Sequence, residues 1–486
     1  MKRTKIFPIL LVGIFFVYLV MSSSAINEKQ AVVADMTSLY IIQRMADGLN
    51  IYEDIAVLYG PVFYYVGAFL VENNLSFSDL KIVMLLVSLF SGILVYLISI
   101  KVFNDQRVGL TATGIYLFIP IHYGMAPVFH ADSFAVFFVL LSLYLLLINK
   151  NILFLIAGLI ASLAFFTKIP SISLIIAPLI FFAFNKNKNG LWYIIPLIFI
   201  ILLGSAYFNS NNDESQHTQL MIDSLLKMTD HPFPELRDFF WIEGFAFLVF
   251  VIGLFFYIKN TTKKSVLPYY AILSILSFSA FLIPGVGIYE ANYMEPFIAI
   301  FSAYVLFQIY DTKILHKFKK FEKHLAVILI SLIFIQFIPF ILPDRERIAD
   351  WDGDGRSFIM NEIAEHHANL LSKYTNKGDL VVASPMAVYK TERILPLENP
   401  FPDLLKRKSE FGYNSAYSDI QEINSMLEKK EIKMLITFNS TQRNEQKFNN
   451  IQEMFFFPFN TNQTHELLNN NYQKFDDVFN YYLPKI

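Results

Sequence analysis

The chain has 486 residues, 39 basic and 41 acidic, for a formal net charge of −2. Hydrophobic residues make up 55% and charged ones only 16%, against about 25% charged in a soluble domain. This excludes a disordered chain and an ordinary soluble enzyme, and the lack of a basic stripe argues against nucleic acid as a partner. There is no cysteine, so disulfides, thiolate metal sites and a cysteine nucleophile are excluded too.

Crossing a bilayer takes about 20 apolar residues. Eleven stretches reach or approach that length: 6–25, 80–100, 108–124, 132–149, 152–168, 170–185, 191–208, 239–258, 266–284, 295–310 and 324–342. The 50 Phe and 26 Tyr suit lipid-facing helices and aromatic belts. With the N-terminus inside, the inner loops carry 16 basic residues and the outer segments six: Lys29, Arg44, Lys81, Lys168, Lys227 and Arg237. That asymmetry sets the expected orientation: N-terminus cytoplasmic, C-terminus outside. A further apolar stretch, 55–71, would reverse every later loop if it crossed. It is read as an interfacial or re-entrant segment, broken at Gly60-Pro61. The first stretch has a second reading as a cleaved signal peptide ending near Ala25, although its apolar core is long for one.

After Pro343 the composition changes: residues 344–486 hold 17 basic and 21 acidic residues. Residues 379–384 and 433–438 read as buried strands. Residues 418–430 read as a helix capped by Asp419, with Ile420, Ile423 and Leu427 on one face. The expected architecture is therefore a multi-pass α-helical membrane domain (1–343, about 11 helices) followed by a small extracytoplasmic α/β domain (344–486).

The first outer loop carries the most chemistry. Asp35 opens a short helical pattern that stops at Gly48, with Tyr40, Arg44 and Asp47 on neighbouring positions. Asp35 reads either as a helix cap or as a base for an acceptor hydroxyl or amide at the membrane surface. His130 and Asp132 open a later helix, again as a cap or as functional groups. Glu243 lies inside an apolar stretch, where it either pairs with Arg237 or stays hydrated near the membrane edge. Asp350, Asp352, Asp354 and Gly355 match the opening of a calcium loop, but its twelfth position is Asn361, so a solvated hinge is the preferred reading. Asn74, Asn260, Asn439 and Asn462 begin short glycosylation-type sequons.

In this order the features resemble the GT-C membrane glycosyltransferases that use lipid-linked sugars, the glycosyltransferase 39, protein O-mannosyltransferase and RgtA-like group. The resemblance covers roughly residues 1–345. It rests on Asp35, Tyr40 and Gly48; on Tyr52, Asp54, Gly60, Pro61 and Tyr64; on Asp132; on 162–171 (SLAFFTKIPS); and on 292–306 (NYMEPFIAIFSAYVL). It implies an inverting transfer from a polyprenyl-phosphate sugar on the outer face, to a glycan, lipid or protein acceptor. It implies Asp35 as the general base and Asp132 as a second acidic residue of the same cavity. Where some relatives carry a Lys-Pro-Pro run, this chain has Leu58-Tyr59-Gly60-Pro61. The leaving phosphate then needs other donors. Those available are Arg44, Lys168, Arg237, Lys227, His130, His217 and His231, with Tyr40, Asp54, Tyr59, Tyr289, Asn292 and Tyr293 as further substrate contacts. Arg237 beside Trp241 reads equally as an interfacial anchor, and Lys168 as a helix-end anchor. The resemblance specifies no metal, and a divalent cation is left as an option. Two other classes fit the composition: a transporter or flippase for a lipid-linked sugar, and a non-catalytic scaffold of a glycan-assembly complex.

Overall fold

The computed structural model describes residues 6–23, 33–51, 54–55, 57, 59–210, 233–261, 265–281, 288–311, 356–383, 385–396, 414–438, 462–475 and 479–485. The expected span at 324–342, the boundary at 343 and the acidic run at 350–355 lie outside them.

Local signals set most helix ends in the apolar part. Helices α1 (Ile6–Ser22), α2 (Val33–Ala46) and α3 (Pro61–Glu72) come first. Helix α4 (Phe77–Phe103) starts at a capping box: Asp79 N–H donates to Ser76 Oγ, and Ser76 N–H donates back to Asp79 Oδ2 at 2.8 Å. It stops at Asn104, which adopts the left-handed conformation (φ 55°). Asp105 then accepts from Arg107 N–H at 2.8 Å and opens α5 (Gln106–Phe118).

The expected helix over 108–124 is corrected here: it divides into α5 and a short α6 (Pro120–Met125). Pro120 pushes the preceding Ile119 out of helical geometry (ψ 131°), although the apolar composition runs on without a break. Helices α7 (Ala131–Ile148), α8 (Asn151–Thr167), α9 (Ile172–Phe184), α10 (Leu191–Ser210), α11 (Phe233–Asn260), α12 (Leu267–Phe281) and α13 (Glu295–Asp311) follow. A 3-10 turn, Ile288–Tyr293, leads into α13.

By length and composition, four helices among the described residues can cross a membrane: those within 77–103, 131–148, 188–207 and 242–260. The other apolar helices are shorter. The bundle packs α7 on α8, α8 on α10, α4 on α5 and α7, and α13 on α5 and α11. Where α8 crosses α10, a Cβ on Gly158 would lie 2.3 Å from the Tyr193 carbonyl oxygen. The missing side chain lets the two backbones touch.

The C-terminal part contains α14 (Arg356–Tyr374), β1 (Val381–Val382), α15 (Pro385–Thr391), α16 (Asn414–Glu428), β2 (Met434–Phe438), α17 (Asn462–Asn471), β3 (Tyr472–Phe475) and β4 (Phe479–Pro484). The sheet order is β1-β2-β4-β3. β1 and β2 are parallel (Val381↔Met434), joined through helical segments. β4 runs antiparallel to both β2 and β3. One face of the sheet packs Val382 and Leu435 with Ile423 and Leu427 of α16. Val381, Met434 and Ile436 belong instead to a core shared with Tyr40, Ile42, Phe63 and Phe129 of the first part. The C-terminal unit is thus welded to α2, α3 and the segment before α7.

Candidate functional site

At one end of the bundle the segment before α3 lies across the end of α8. Gly60 N–H donates to the Thr167 carbonyl oxygen at 3.0 Å. A Cβ on Gly60 would sit 2.0 Å from the Phe166 carbonyl oxygen, so only glycine permits this approach. The crossing sets Tyr59 beside His130, with ring centres 5.1 Å apart.

A chain of polar contacts follows. Tyr59 Oη is 2.8 Å from His130 Nε2, and His130 Nδ1 is 2.6 Å from Asp132 Oδ2. A nitrogen 2.6 Å from a carboxylate oxygen donates to it, so His130 links the carboxylate to the Tyr59 hydroxyl. Lys168 Nζ completes the carboxylate's partners, 2.7 Å from Oδ1 and 2.8 Å from Oδ2. The ammonium is also 5.5 Å from the centre of the Tyr59 ring. Asp132 is fully buried, and His130 and Lys168 are nearly so. Burial makes the pairing obligatory, because a lone charge at this depth costs several kcal/mol.

The remaining sequence candidates are distributed as follows. Asp35 lies in the first turn of α2 and Arg237 in the first turns of α11, but their side chains, like that of Tyr289, are outside the described ones. His217, Lys227 and His231 lie outside the described residues. Tyr40 is buried, and its hydroxyl accepts from Leu395 N–H of the C-terminal unit at 2.9 Å. Arg44 donates to Asp47 at 2.8 Å. Asp54 accepts from Asn50 N–H at 2.8 Å, closing the turn after α2. Asn292 and Tyr293 are buried in the turn before α13, which packs on α6 and α7. No group of three His, Asp or Glu side chains converges on a common point among the described residues.

A second polar chain runs deeper in the bundle, and sequence reasoning found only one of its members. Tyr18 Oη is 2.8 Å from Ser88 Oγ, which is 2.7 Å from His122 Nε2. His122 Nδ1 lies 3.8 Å from Glu295 Oε2, and its ring centre is 4.1 Å from that of Tyr116, the planes tilted by 32°. Glu243 is fully buried, which corrects the reading that it stays hydrated. Its Oε1 accepts from Ile121 N–H at 3.1 Å, an N–H left without a helical partner by the start of α6. The available signal was Pro120, which frees such donors, and the acid that opens α13.

Residues 59–208, less than half of the chain, match the family model for dolichyl-phosphate-mannose-protein mannosyltransferases. No curated protein sequence matches the chain. Among solved structures, the Archaeoglobus fulgidus oligosaccharyltransferase AglB in complex with an inhibitory peptide and a dolichol-phosphate aligns at TM-score 0.59 and 11% identity. That alignment covers 99% of this chain and 74% of that one. The Archaeoglobus fulgidus oligosaccharyltransferase tethered with an acceptor peptide aligns at TM-score 0.57 and 12% identity, over 98% and 74%. ArnT from Cupriavidus metallidurans bound to undecaprenyl phosphate aligns at TM-score 0.56 and 11% identity, over 99% and 98%. The resemblance to GT-C membrane enzymes is therefore shown in the fold and in the matched segment.

Proposed function

We propose that the chain is a membrane glycosyltransferase that moves a sugar, in the first instance a hexose, from a polyprenyl-phosphate donor to an acceptor on the outer face of the membrane. The reading includes about 11 crossings, a cytoplasmic N-terminus and an extracytoplasmic C-terminal α/β unit. The observation that carries it is the alignment along nearly the whole length of both this chain and the undecaprenyl-phosphate-bound ArnT. The dolichol-phosphate complex of AglB supports the same donor class.

In this reading the acceptor hydroxyl or amide attacks the anomeric carbon, the bond from that carbon to the phosphate oxygen breaks, and the acceptor's proton passes to Asp35. The configuration inverts because the nucleophile enters opposite the leaving phosphate. Asp132 serves the same end of the bundle differently. Its oxygens are taken by Lys168 and His130, so its part is to hold the Tyr59–His130 wall in place. The leaving phosphate is assigned to donors outside that closed cluster: Arg44, Arg237, Asn292 and Tyr293.

The test uses membranes carrying the wild type or Asp35→Asn, polyprenyl-phosphate sugars labelled in the sugar, and a crude acceptor extract. Label should leave the lipid fraction with the wild type and fall by at least about 100-fold in rate with the variant. Equal loss with both removes Asp35 as base. No loss with any donor across several acceptor extracts overturns the transferase reading.

A further inference from the structure

At the other end of the bundle from Asp132, the ends of α4, α7, α9 and α11 and the starts of α8 and α12 surround a cavity of about 650 Å³. That volume is in the range that seats one small-molecule group. Its rim carries Lys101, Asn149, Asn185, Asn187, Thr261 and Ser265, and Phe154 and Phe182 are among its apolar walls. Lys101 is exposed and has no acidic partner among the described residues. Three further exposed lysines, Lys150, Lys186 and Lys188, are chain neighbours of the rim asparagines. The one acid in the described stretches 99–107, 146–154, 181–191, 257–261 and 265–267 is Asp105, which is held by Arg107 at 2.6 Å. Cations and amides at the mouth with aromatic walls below describe a receptor for an amphiphile with an anionic head. Ile152, Phe184 and Ile258 at the same end are 61%, 76% and 52% exposed, so an apolar outer surface continues from the mouth.

We infer that this cavity binds the phosphodiester head of one anionic glycerophospholipid, with Lys101 and the rim amides on the phosphate and the first part of an acyl chain against Phe154 and Phe182. The charge asymmetry of the loops puts this end at the cytoplasmic leaflet, so the inference shares the orientation in the proposed function but not its chemistry. Anionic lipids give that surface its negative charge, and each lysine near it favours binding measurably. The site lies opposite the transfer site and is separate from the donor's.

The experiment is native mass spectrometry of the purified full chain in detergent, titrated with dioleoyl phosphatidylglycerol, dioleoyl phosphatidylcholine or water-soluble glycerol 3-phosphate. The wild type should bind one phosphatidylglycerol about fivefold more tightly than phosphatidylcholine, and Lys101→Gln should remove that preference. Leu146→Trp, which fills the cavity wall, should weaken both lipids. Lys377→Gln, an exposed lysine of the C-terminal unit, should change nothing. Equal affinity for the two lipids, or a Lys101→Gln chain that behaves as wild type, overturns the inference. Displacement of the lipid by glycerol 3-phosphate at equal concentration makes the ligand a soluble phosphate and overturns it as well. Because binding is read without sugar transfer, an inactive transferase leaves this result intact.

Discussion

Replacing Lys168 by Met tests whether the Asp132 cluster is a closed structural unit. The ammonium lies 2.7 and 2.8 Å from the two oxygens of a fully buried carboxylate. Removing one partner of a buried pair costs about 3–5 kcal/mol, because the other charge stays behind uncompensated. His130 remains 2.6 Å from Oδ2 and keeps one donor on the carboxylate, which sets the expected loss near the lower end, about 3 kcal/mol. Met fills much of the volume of the lysine stem, so a cavity adds little. At about 2–4 °C per kcal/mol, the midpoint of thermal aggregation in detergent should fall by about 6–12 °C. The double variant Asp132→Asn/Lys168→Met removes both charges and should recover most of that loss, giving a coupling of about 2 kcal/mol. A single variant within 2 °C of wild type, or a double variant no better than the single, refutes the argument and returns Lys168 to the pool of free phosphate ligands.

Two further outcomes follow from the geometry. Gly60→Ala places a methyl 2.0 Å from the Phe166 carbonyl oxygen. It should break the Gly60–Thr167 bond, cost about 1–3 kcal/mol in the same thermal assay and lower sugar transfer by displacing Tyr59. In the C-terminal unit His367 is fully buried, and burial, with His366 beside it, pushes its pKa down to about 3. The unfolded chain takes up a proton near pH 6.5 that the folded chain refuses, so this contribution is complete above that pH and is lost as pH falls toward 3. Between pH 7 and 5 the C-terminal unit should lose about 2 kcal/mol, read as faster limited proteolysis within 356–485. His367→Leu should flatten that dependence, and an unchanged slope would assign it to other groups.

The helices were legible wherever composition and punctuation agreed. Gly60-Pro61 marked the start of α3, and the apolar runs 80–100 and 132–149 fell within α4 and over α7, whose ends the caps at Ser76, Asn104 and His130 then fixed. Pro120 was missed because the apolar run continues past it, and composition outweighed a single missing N–H. Tyr59, His130, Asp132 and Lys168 stood out one by one as polar residues at helix mouths. Their mutual contacts did not, because Tyr59 and His130 are 71 residues apart and Lys168 and Asp132 are 36 apart. Glu243 and Glu295 show the same limit more sharply. Only Glu243 stood out as an acid in an apolar run, and the Ile121 amide and the His122 ring beside the two acids belong to a helix the sequence did not separate. In the C-terminal unit, apolar runs marked strands near 381–382 and 434–438, but nothing local announced that Val381 and Met434 would face Ile42 and Phe63.

That shared core has a consequence for biosynthesis. Tyr40, Phe63 and Tyr64 emerge from the ribosome early, yet Met434 and Ile436, which belong to the same apolar core, come about 370 residues later. At about 5–20 residues per second the wait is roughly 20–75 s. During that interval α2 and α3 present an incomplete apolar face. A chain released before residue 434 never receives that part of the cover. Chaperone capture and proteolysis of such truncated chains should therefore concentrate on α2 and α3, although the lesion lies at the other end of the chain.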